Sequence, residues 1–335
     1  MTLDVLDETT LARLGRVEVW VSLYWDEPYN TEGEVTLEVR PTEENLALLR
    51  EGRWLKRSDS DVPMRICHRS NENQDSNLVV TGAPGTWVFT KRAATEIVKN
   101  ENAEAAMRRL VSSMQPWPKL ELGDSVGFDT SYTAQTSGGS VMDYLTTIAA
   151  ACDLGFRVRL DGKNTGKRLL FEVYRPTADP NNRFSTKWGN LQQAAWAFGD
   201  SDYANVAIVQ GAGEGENRAT VTVGLTDLAG ADRRELYVDA RDVQPDEDKG
   251  ETNQSADYLQ RLMDRGTNKL LEQLRTGSIE LTLDAEGLHP GDVAECSIPE
   301  LGYRATVRVA DVITQSQSDS TTRTVRLGSP VWRKL

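Results

Sequence analysis

YANVAIVQGAGEGENRATVTVG, residues 203–224, places three glycines at alternate positions between two apolar runs. A phosphate-binding loop would need a helix after the glycines, and a Walker-type loop would add a Lys-Ser or Lys-Thr pair. The sequence instead continues with Ala219, Val221 and Val223 alternating with Thr220 and Thr222, which is the two-residue period of a strand. Because glycine reaches positive φ without steric cost, the stretch predicts a β-hairpin and no nucleotide site.

Strand patterns recur on both sides of this hairpin. Alternating apolar residues predict strands at 17–25, 35–40, 64–67 and 78–81, and a second hairpin at 156–174. The run RRELYVDARD predicts a strand directly after the glycine-rich hairpin, and three more strands close the chain between 279 and 327. The chain is therefore expected to be mostly β.

Helical patterns are fewer. Capping and spacing predict a short helix after Thr42, a helix at 103–114, and a clear amphipathic helix over 141–152. A longer amphipathic helix is predicted at about 253–275, capped by Ser255 and interrupted by Gly266. The segment 129–140 is rich in Ser, Thr and Gly, and we expect a loop there.

Length and charge restrict the function. A chain of 335 residues accommodates two to four modules, and 39% hydrophobic residues suffice for buried cores. No stretch approaches the roughly 18 apolar residues of a membrane helix, and no secretory signal is visible. The net charge of −13 argues against a general grip on the nucleic-acid backbone, although DNA could pass such a surface without adhering.

Residues for catalysis or metal binding are sparse. His68 and His289 lie in no recognisable motif, and we interpret them as a strand-end residue and a turn residue. The three cysteines, Cys67, Cys152 and Cys296, are odd in number, which suits buried fillers in a reducing cytosol. Strand-like patterns around the tryptophans favour core or interface packing, as for Trp20, Trp25, Trp188 and Trp196. The sequence thus predicts no catalytic residue, no cofactor and no metal.

Four segments in order resemble one family. They are residues 203–224, DRRELYVDARD (232–242), DYLQRLMDRGTNKLLEQ (257–273) and HPGDVAECSIPELGYRATVRVADVI (289–313). Together they resemble the siphovirus minor tail proteins of the ReqiPepy type. Further upstream, GGSVMDYLTTIAAACDLGFRV (138–158) resembles the helix-and-strands module of phage baseplate hubs.

The resemblance implies a fold and a set of structural residues. The expected class is α+β and β-rich, with two barrel-like tube domains of baseplate-hub type, a small helix-and-hairpin domain and a long amphipathic helix. The corresponding bounds are 1–100 and 183–335 for the barrel-like domains, and 101–182 for the linker helix with the helix-plus-hairpin domain. The family's turn and structural residues carry over to Gly211, Gly213, Gly215, Arg218, Arg233, Arg234, Gly291 and Asp292.

The resemblance also implies a place in the virion. It predicts a tail-tip or baseplate hub, made in the host cytoplasm, whose homotrimer forms a ring of six barrels. Its partners would be the tail tube or distal tail protein, the tape-measure protein, and tip or receptor-binding proteins. DNA would be met only in transit.

Two other functions stay open. A host-surface module could bind cell-wall carbohydrate through exposed aromatic rings, and a tail-associated enzyme could degrade the wall. The few histidines and the lack of a motif disfavour the enzyme. The hub is the leading hypothesis, and the carbohydrate-binding module is the alternative.

Overall fold

The computed structural model describes residues 1–72, 76–136, 138–162, 167–188, 193–199, 203–215, 218–246, 250–273, 276–282, 287–298, 303–317, 320–328 and 331–334. Contacts between Cα atoms divide the chain into two compact units. The first unit is Met1–Ala194 with Glu280–Leu335, and the second is Ala195–Ile279. The β-rich α+β class is confirmed. The three domains predicted from the sequence, and the closure of their sheets into barrels, stay predictions.

The first unit begins with an antiparallel sheet. Its elements are β1 (Leu3–Leu6), β2 (Arg13–Val17), β3 (Ser22–Pro28), β4 (Val35–Val39), α1 (Glu43–Leu48), β5 (Trp54–Arg57), β6 (Met64–Ser70) and β7 (Leu78–Pro84). The strand order is β3-β4-β7-β6-β5-β1-β2. Alternate residues of β3 and β4 are buried in one core, among them Trp25 and Leu37, as a strand with a single apolar face requires.

The prediction of a single strand over 17–25 is wrong. β2 ends at Val17 and β3 begins at Ser22, and Val19 between them is 78% exposed. β2 pairs with β1, whereas β3 pairs with β4. Between β2 and β3 the chain therefore crosses from one end of this strand order to the other. An alternating sequence pattern does not show where such a crossing occurs.

A helix-rich segment follows in the first unit. Its elements are α2 (Trp87–Thr90), β8 (Ala93–Ala94), β9 (Val98–Asn102), α3 (Ala103–Ser113), β10 (Leu120–Leu122), β11 (Ser131–Thr136), β12 (Gly139–Ser140), α4 (Val141–Cys152), β13 (Gly155–Asp161) and β14 (Arg168–Tyr174). The predicted helices α3 and α4 and the hairpin β13–β14 are confirmed. The predicted loop at 129–140 is wrong in part, because β11 pairs with β9. Threonine and tyrosine favour strands, so Ser/Thr-rich composition does not exclude one.

Helix α4 begins at a capping box. The Ser140 side chain accepts a hydrogen bond from the Asp143 N–H, and the Asp143 carboxylate accepts one from the Ser140 N–H at 2.8 Å. These bonds satisfy two backbone donors that the first turn leaves unpaired. The predicted apolar face is buried in the core of this segment and comprises Val141, Tyr144, Leu145, Ile148, Ala149 and Cys152.

After β15 (Ala178–Ser185) and β16 (Gln193–Gly199), the second unit forms a sheet covered by a helix. Its elements are β17 (Val206–Gln210), β18 (Thr220–Gly224), β19 (Glu235–Asp239) and α5 (Ala256–Glu272). The central strand β17 pairs antiparallel with β18 and parallel with β19. Side chains of the sheet, including Val209 and Val221, share one core with Tyr258 and Leu262 of the helix.

The predicted interruption of this helix at Gly266 is wrong, because α5 continues through that residue. A Cβ atom added to Gly266 would lie 2.4 Å from Val209 Cγ2 and 2.8 Å from Val223 Cγ2. The glycine therefore lets the helix approach the sheet closely.

Five strands close the described part of the chain, and the longest of them pairs with three of the others. They are β20 (Thr276–Thr282), β21 (Val293–Ile298), β22 (Tyr303–Gln317), β23 (Ser320–Leu327) and β24 (Val331–Lys334). The first part of β22 pairs with β21 and β24, and its second part pairs with β23 and β3. A single backbone thus links the N-terminal sheet to the closing strands.

Candidate functional site

The glycine-rich turn connects β17 to β18. These strands pair from Val206 opposite Gly224 to Gln210 opposite Thr220, which confirms the predicted hairpin. Gly213 and Gly215 have φ of +106° and +55°, in the region that other residues rarely adopt. Both glycines therefore serve the turn.

Gly211 has a different role from its neighbours. A Cβ atom at this position would lie 2.3 Å from the Tyr258 hydroxyl oxygen. That hydroxyl accepts a hydrogen bond from the Ala212 N–H at 2.7 Å and donates one to the Val243 carbonyl at 3.0 Å. Tyr258 lies in the amphipathic helix that the sequence predicts at about 253–275, but no local sequence pattern indicates its hydrogen bond to the turn.

Arg218 fixes the turn to strand β19. Its Nε donates to the Gly211 carbonyl at 3.0 Å, and its Nη2 donates to Asp239 Oδ1 at 3.0 Å. Arg241 also binds the Asp239 carboxylate, and its hydrogen bond is the main reason that the pKa of Asp239 is lowered. A guanidinium engaged in these contacts supports the turn structurally.

Arg233 and Arg234 hold the start of β19. The Arg233 guanidinium donates to Glu235 Oε1 at 2.6 Å and to the Thr226 carbonyl at 2.8 Å. The Arg234 N–H donates to Oδ1 of the buried Asn205 at 2.9 Å. Both residues therefore stabilise the loop that leads into the strand.

The predicted Gly-Asp turn, Gly291 and Asp292, lies in the first unit. Gly291 has φ of +93°, and a Cβ atom there would lie 2.6 Å from the Tyr29 ring. The buried Asp292 carboxylate accepts hydrogen bonds from the N–H groups of His289, at 2.8 Å, and Thr177, at 3.3 Å. The turn thus ties three separate parts of the chain together.

Tyr29 extends this junction. Its hydroxyl donates to the Leu154 carbonyl at 2.8 Å, and the Arg308 guanidinium carbon lies 5.1 Å from the centre of its ring. Arg308 Nη2 also contacts Asp153 Oδ1 at 2.5 Å. The N-terminal sheet, the helix-and-hairpin segment and strand β22 therefore meet at one polar junction.

A cavity of about 350 Å³ adjoins the turn. Its lining includes Glu27, Asn30, Phe156, Arg157, Tyr174 and Asp292. Burial raises the pKa of the Tyr174 phenol, which donates a hydrogen bond to the Pro290 carbonyl at 3.1 Å. A phenol that is neutral and already bonded supplies no general base at neutral pH.

A buried carboxylate pair was missed by sequence reasoning. In the strand register, Asp26 of β3 faces Ile313 of β22, and Asp311 faces Arg326 of β23. Asp26 and Asp311 are 7% and 9% exposed. Arg326 contacts Asp311 at 3.2 Å, whereas Asp26 Oδ1 has no hydrogen-bond partner in the part of the chain that the structure describes.

This arrangement favours a protonated Asp26. Burial, and then the negative charge of Asp311, raise its pKa to about 7. The charged groups that act on it are Asp311, Arg326, Glu34 and Glu27. Because Trp25 is buried on one face of β3, the alternation of a strand predicts that Asp26 is exposed. No sequence signal therefore identified Asp26 and Asp311 as a buried pair.

Other candidate residues are isolated. His68 is exposed on β6, and His289 contacts Asp292 at 3.6 Å. Cys152 and Cys296 are buried as expected, whereas Cys67 is only half-buried; burial raises the pKa of Cys296 to about 12. Within the described ranges, no group of three His, Cys, Asp or Glu side chains could hold a metal.

The tryptophans that the sequence assigns to packing differ in their exposure. Trp25 is buried as expected, but Trp188 is 61% exposed. Trp196 has a side chain outside the described part of the structure. Among the described helices, none is long and apolar enough to span a membrane.

Solved structures of phage tail proteins share this fold. The tail protein from Neisseria meningitidis MC58 is 14% identical, over 98% of this chain and 96% of that chain, with a TM-score of 0.61. The 43 kDa tail protein of prophage MuSo2 from Shewanella oneidensis is 9% identical, over 98% of both chains, with a TM-score of 0.63. A chain of the lidded Francisella PdpA-VgrG complex is 9% identical, over 100% of this chain and 54% of that chain, with a TM-score of 0.51. No curated protein matches the sequence.

The similarity to these structures defines the class of fold, which is that of phage tail proteins. The chain belongs to the Siphovirus ReqiPepy6 Gp37-like protein family, whose sequence model matches residues 2–329. The resemblance stated from the sequence is therefore confirmed at the level of the family. Family and fold together support a structural role in a phage tail and a location in the virion tail.

Proposed function

We propose that this chain is the hub of the tail tip, where three copies form a ring that connects the tail tube to the tip. The observation that carries the proposal is the match of the fold to a prophage tail protein over 98% of both chains, together with the family. Likeness to a chain of a VgrG complex supports the tip as the position.

The linkage through β22 supports a ring-forming role. A ring that connects the tail tube to the tip needs the sheets of each copy to keep a fixed relative position. Strand β22 pairs with β21, β24, β23 and β3. Its backbone hydrogen bonds therefore connect the N-terminal sheet to the closing strands. Closed rotational symmetry is the usual way in which identical chains make such a ring.

The charge of the chain supports the passage of DNA. Three copies carry a formal charge of 3 × −13 = −39. Like charge repels a phosphate backbone over about 8 Å at physiological salt. We propose that acidic side chains line the bore and keep DNA from adhering, and that the tube, tape-measure and receptor-binding proteins are the partners.

Location in the particle tests the proposal. An affinity tag on the chain should bind gold-labelled antibody at the end of the tail furthest from the head. Particles that carry the tag on a head protein serve as the control for accessibility. Gold on the head, or evenly along the tube, would refute the tip assignment.

One observation favours a second function, binding of cell-wall carbohydrate. Trp188 is 61% exposed, and an exposed indole can stack on the apolar face of a sugar ring. This function predicts that the isolated protein binds host cell-wall polysaccharide and that Trp188→Ala abolishes the binding. Trp25→Phe, at a buried position, should leave binding unchanged.

A further inference from the structure

Three neighbouring strands of the first unit bring charged residues into one row. Asp4 of β1 lies opposite Arg16 of β2 on one side and opposite Lys56 of β5 on the other. Adjacent strands are about 4.8 Å apart. The carboxylate is therefore flanked by a cation on each neighbouring strand.

A β-bulge adds a third cation. The register of β1 with β2 shifts between Val5 and Leu6, so residues three apart can reach the same face. Nε of Arg16 and Nε of Arg13 contact the same oxygen, Asp4 Oδ1, at 2.8 Å and 3.2 Å. One carboxylate oxygen thus serves two guanidinium groups.

The fourth cation is Lys167, which directly precedes β14. Burial, and then the positive charges of Lys56 and Arg13, lower the pKa of this half-buried lysine, while Asp4 acts in the opposite direction. Glu18 is the second carboxylate near the cluster, and it acts on Arg16. Four cations therefore face two carboxylates on a chain whose total charge is −13.

We propose that Arg13, Arg16, Lys56 and Lys167 form a binding site for a phosphate group. The side chains of Arg13 and Arg16 are 49% and 35% exposed, so an anion in solution can reach them. A tetrahedral dianion accepts charge-assisted hydrogen bonds from guanidinium and ammonium groups at once. It would also offset the repulsion that Lys56 and Arg13 exert on Lys167. The proposal is independent of the ring.

Calorimetric titration of the full chain with inorganic phosphate and pyrophosphate, at constant ionic strength, tests the site. The wild type should bind one anion, and its affinity should fall as salt rises. Lys56→Gln and Lys167→Gln should each weaken binding about three-fold, and the double variant about ten-fold. Lys99→Gln removes an exposed lysine from another strand and should change nothing.

Asp4→Asn provides a measurement that does not depend on the lysine variants. It keeps all four cations and removes the competing carboxylate, so phosphate affinity should rise about three-fold. If the cluster of ion pairs only stabilises the fold, neither the wild type nor any variant should bind phosphate. Absence of binding to the wild type, or equal binding by the wild type and the double variant, would overturn the proposal.

The source of the phosphate is decided by competition. If a short DNA duplex displaces pyrophosphate from the wild type, the site takes a phosphate of a nucleic-acid backbone. If phosphate and pyrophosphate bind while the duplex does not compete, the ligand is a free phosphate. Either result supports a phosphate site.

Discussion

The hydroxyl group of Tyr258 in α5 lies 2.7 Å from the backbone nitrogen of Ala212 and accepts its hydrogen bond. The same hydroxyl donates to the Val243 carbonyl. Tyr258 is fully buried, and Ala212 is 7% exposed. The helix therefore holds the glycine-rich turn through one phenol that satisfies two backbone groups.

Tyr258→Phe should destabilise the second unit by about 1–3 kcal/mol. The change keeps the ring but leaves the buried Ala212 N–H and the Val243 carbonyl without this partner, and an unpaired buried polar group costs about that much. Hydrogen exchange at the Ala212 amide should become faster. Tyr237→Phe is the matched control, because Tyr237 is 58% exposed. Equal effects of the two variants would contradict the role of Tyr258.

Gly266→Ala should also destabilise the second unit. Alanine in place of glycine stabilises an ordinary helix by about 1 kcal/mol. Here the new Cβ would lie 2.4 Å from Val209 Cγ2, and overpacking of this kind costs about 1–3 kcal/mol. We expect a net loss of thermal stability, whereas Asn268→Ala, at an exposed position two residues further along α5, should be neutral or slightly stabilising. A more stable Gly266→Ala variant would disprove the close approach.

The hairpins and amphipathic helices could be predicted because their signals are local. The capping box at Ser140 and the alternation in β13 and β14 depend on residues close in sequence, and the structure confirms them. The predicted interruption at Gly266 is wrong because helix propensity does not show what packs against a residue.

Contacts between residues far apart in the sequence could not be predicted, because local patterns do not show which residues the fold brings together. The contact of Arg326 with Asp311, and the approach of Tyr29 to Gly291, join residues that only the fold brings together. The family resemblance identified Gly291, whereas no pattern identified Asp26.

The first unit should become less stable as pH rises from about 4 to above 7. Asp26 has a folded-state pKa of about 7, raised from 3.8. The folded state therefore binds this proton more tightly than the unfolded state does. The stabilisation is complete below pH 3.8 and is lost as pH passes 7, on the order of 4 kcal/mol in total.

Thermal unfolding of Asp26→Asn across this range isolates the effect. The neutral amide should remove most of the pH dependence and make the variant more stable than the wild type above pH 7. Asp124→Asn, at an exposed position, should follow the wild-type curve. Parallel curves for the wild type and Asp26→Asn would show that Asp26 does not hold the proton.

Glu104 at the start of α3 should show the opposite pH dependence. Its buried carboxylate accepts hydrogen bonds from the Ser125 hydroxyl and from the N–H groups of residues 126–128, at 2.8–2.9 Å. Burial alone would raise its pKa, but these bonds outweigh burial and lower it. The stability that Glu104 supplies is present above its usual pKa of 4.5 and is lost as pH falls.

Glu104→Gln should lower the free energy of unfolding by about 2–4 kcal/mol at neutral pH. The amide NH₂ of glutamine is a donor, and it would face backbone N–H groups whose hydrogen bonds the carboxylate oxygen accepts. The loop at 125–128 should then be cleaved faster by protease. Glu121→Gln, at an exposed position, is the control. If the stability difference between the wild type and Glu104→Gln did not become smaller toward acid pH, the stabilising role of the ionised Glu104 would be contradicted.

Electron cryo-microscopy of intact particles, with the tail tip reconstructed without imposed symmetry, tests the hub most directly. If the chain is the hub, the reconstruction should show three copies of it around a continuous central channel beneath the tail tube, with acidic side chains facing the bore. A neutral or basic channel wall would remove the proposed basis for DNA passage. Copies found on the head, or a single copy away from the tail axis, would contradict the hub itself.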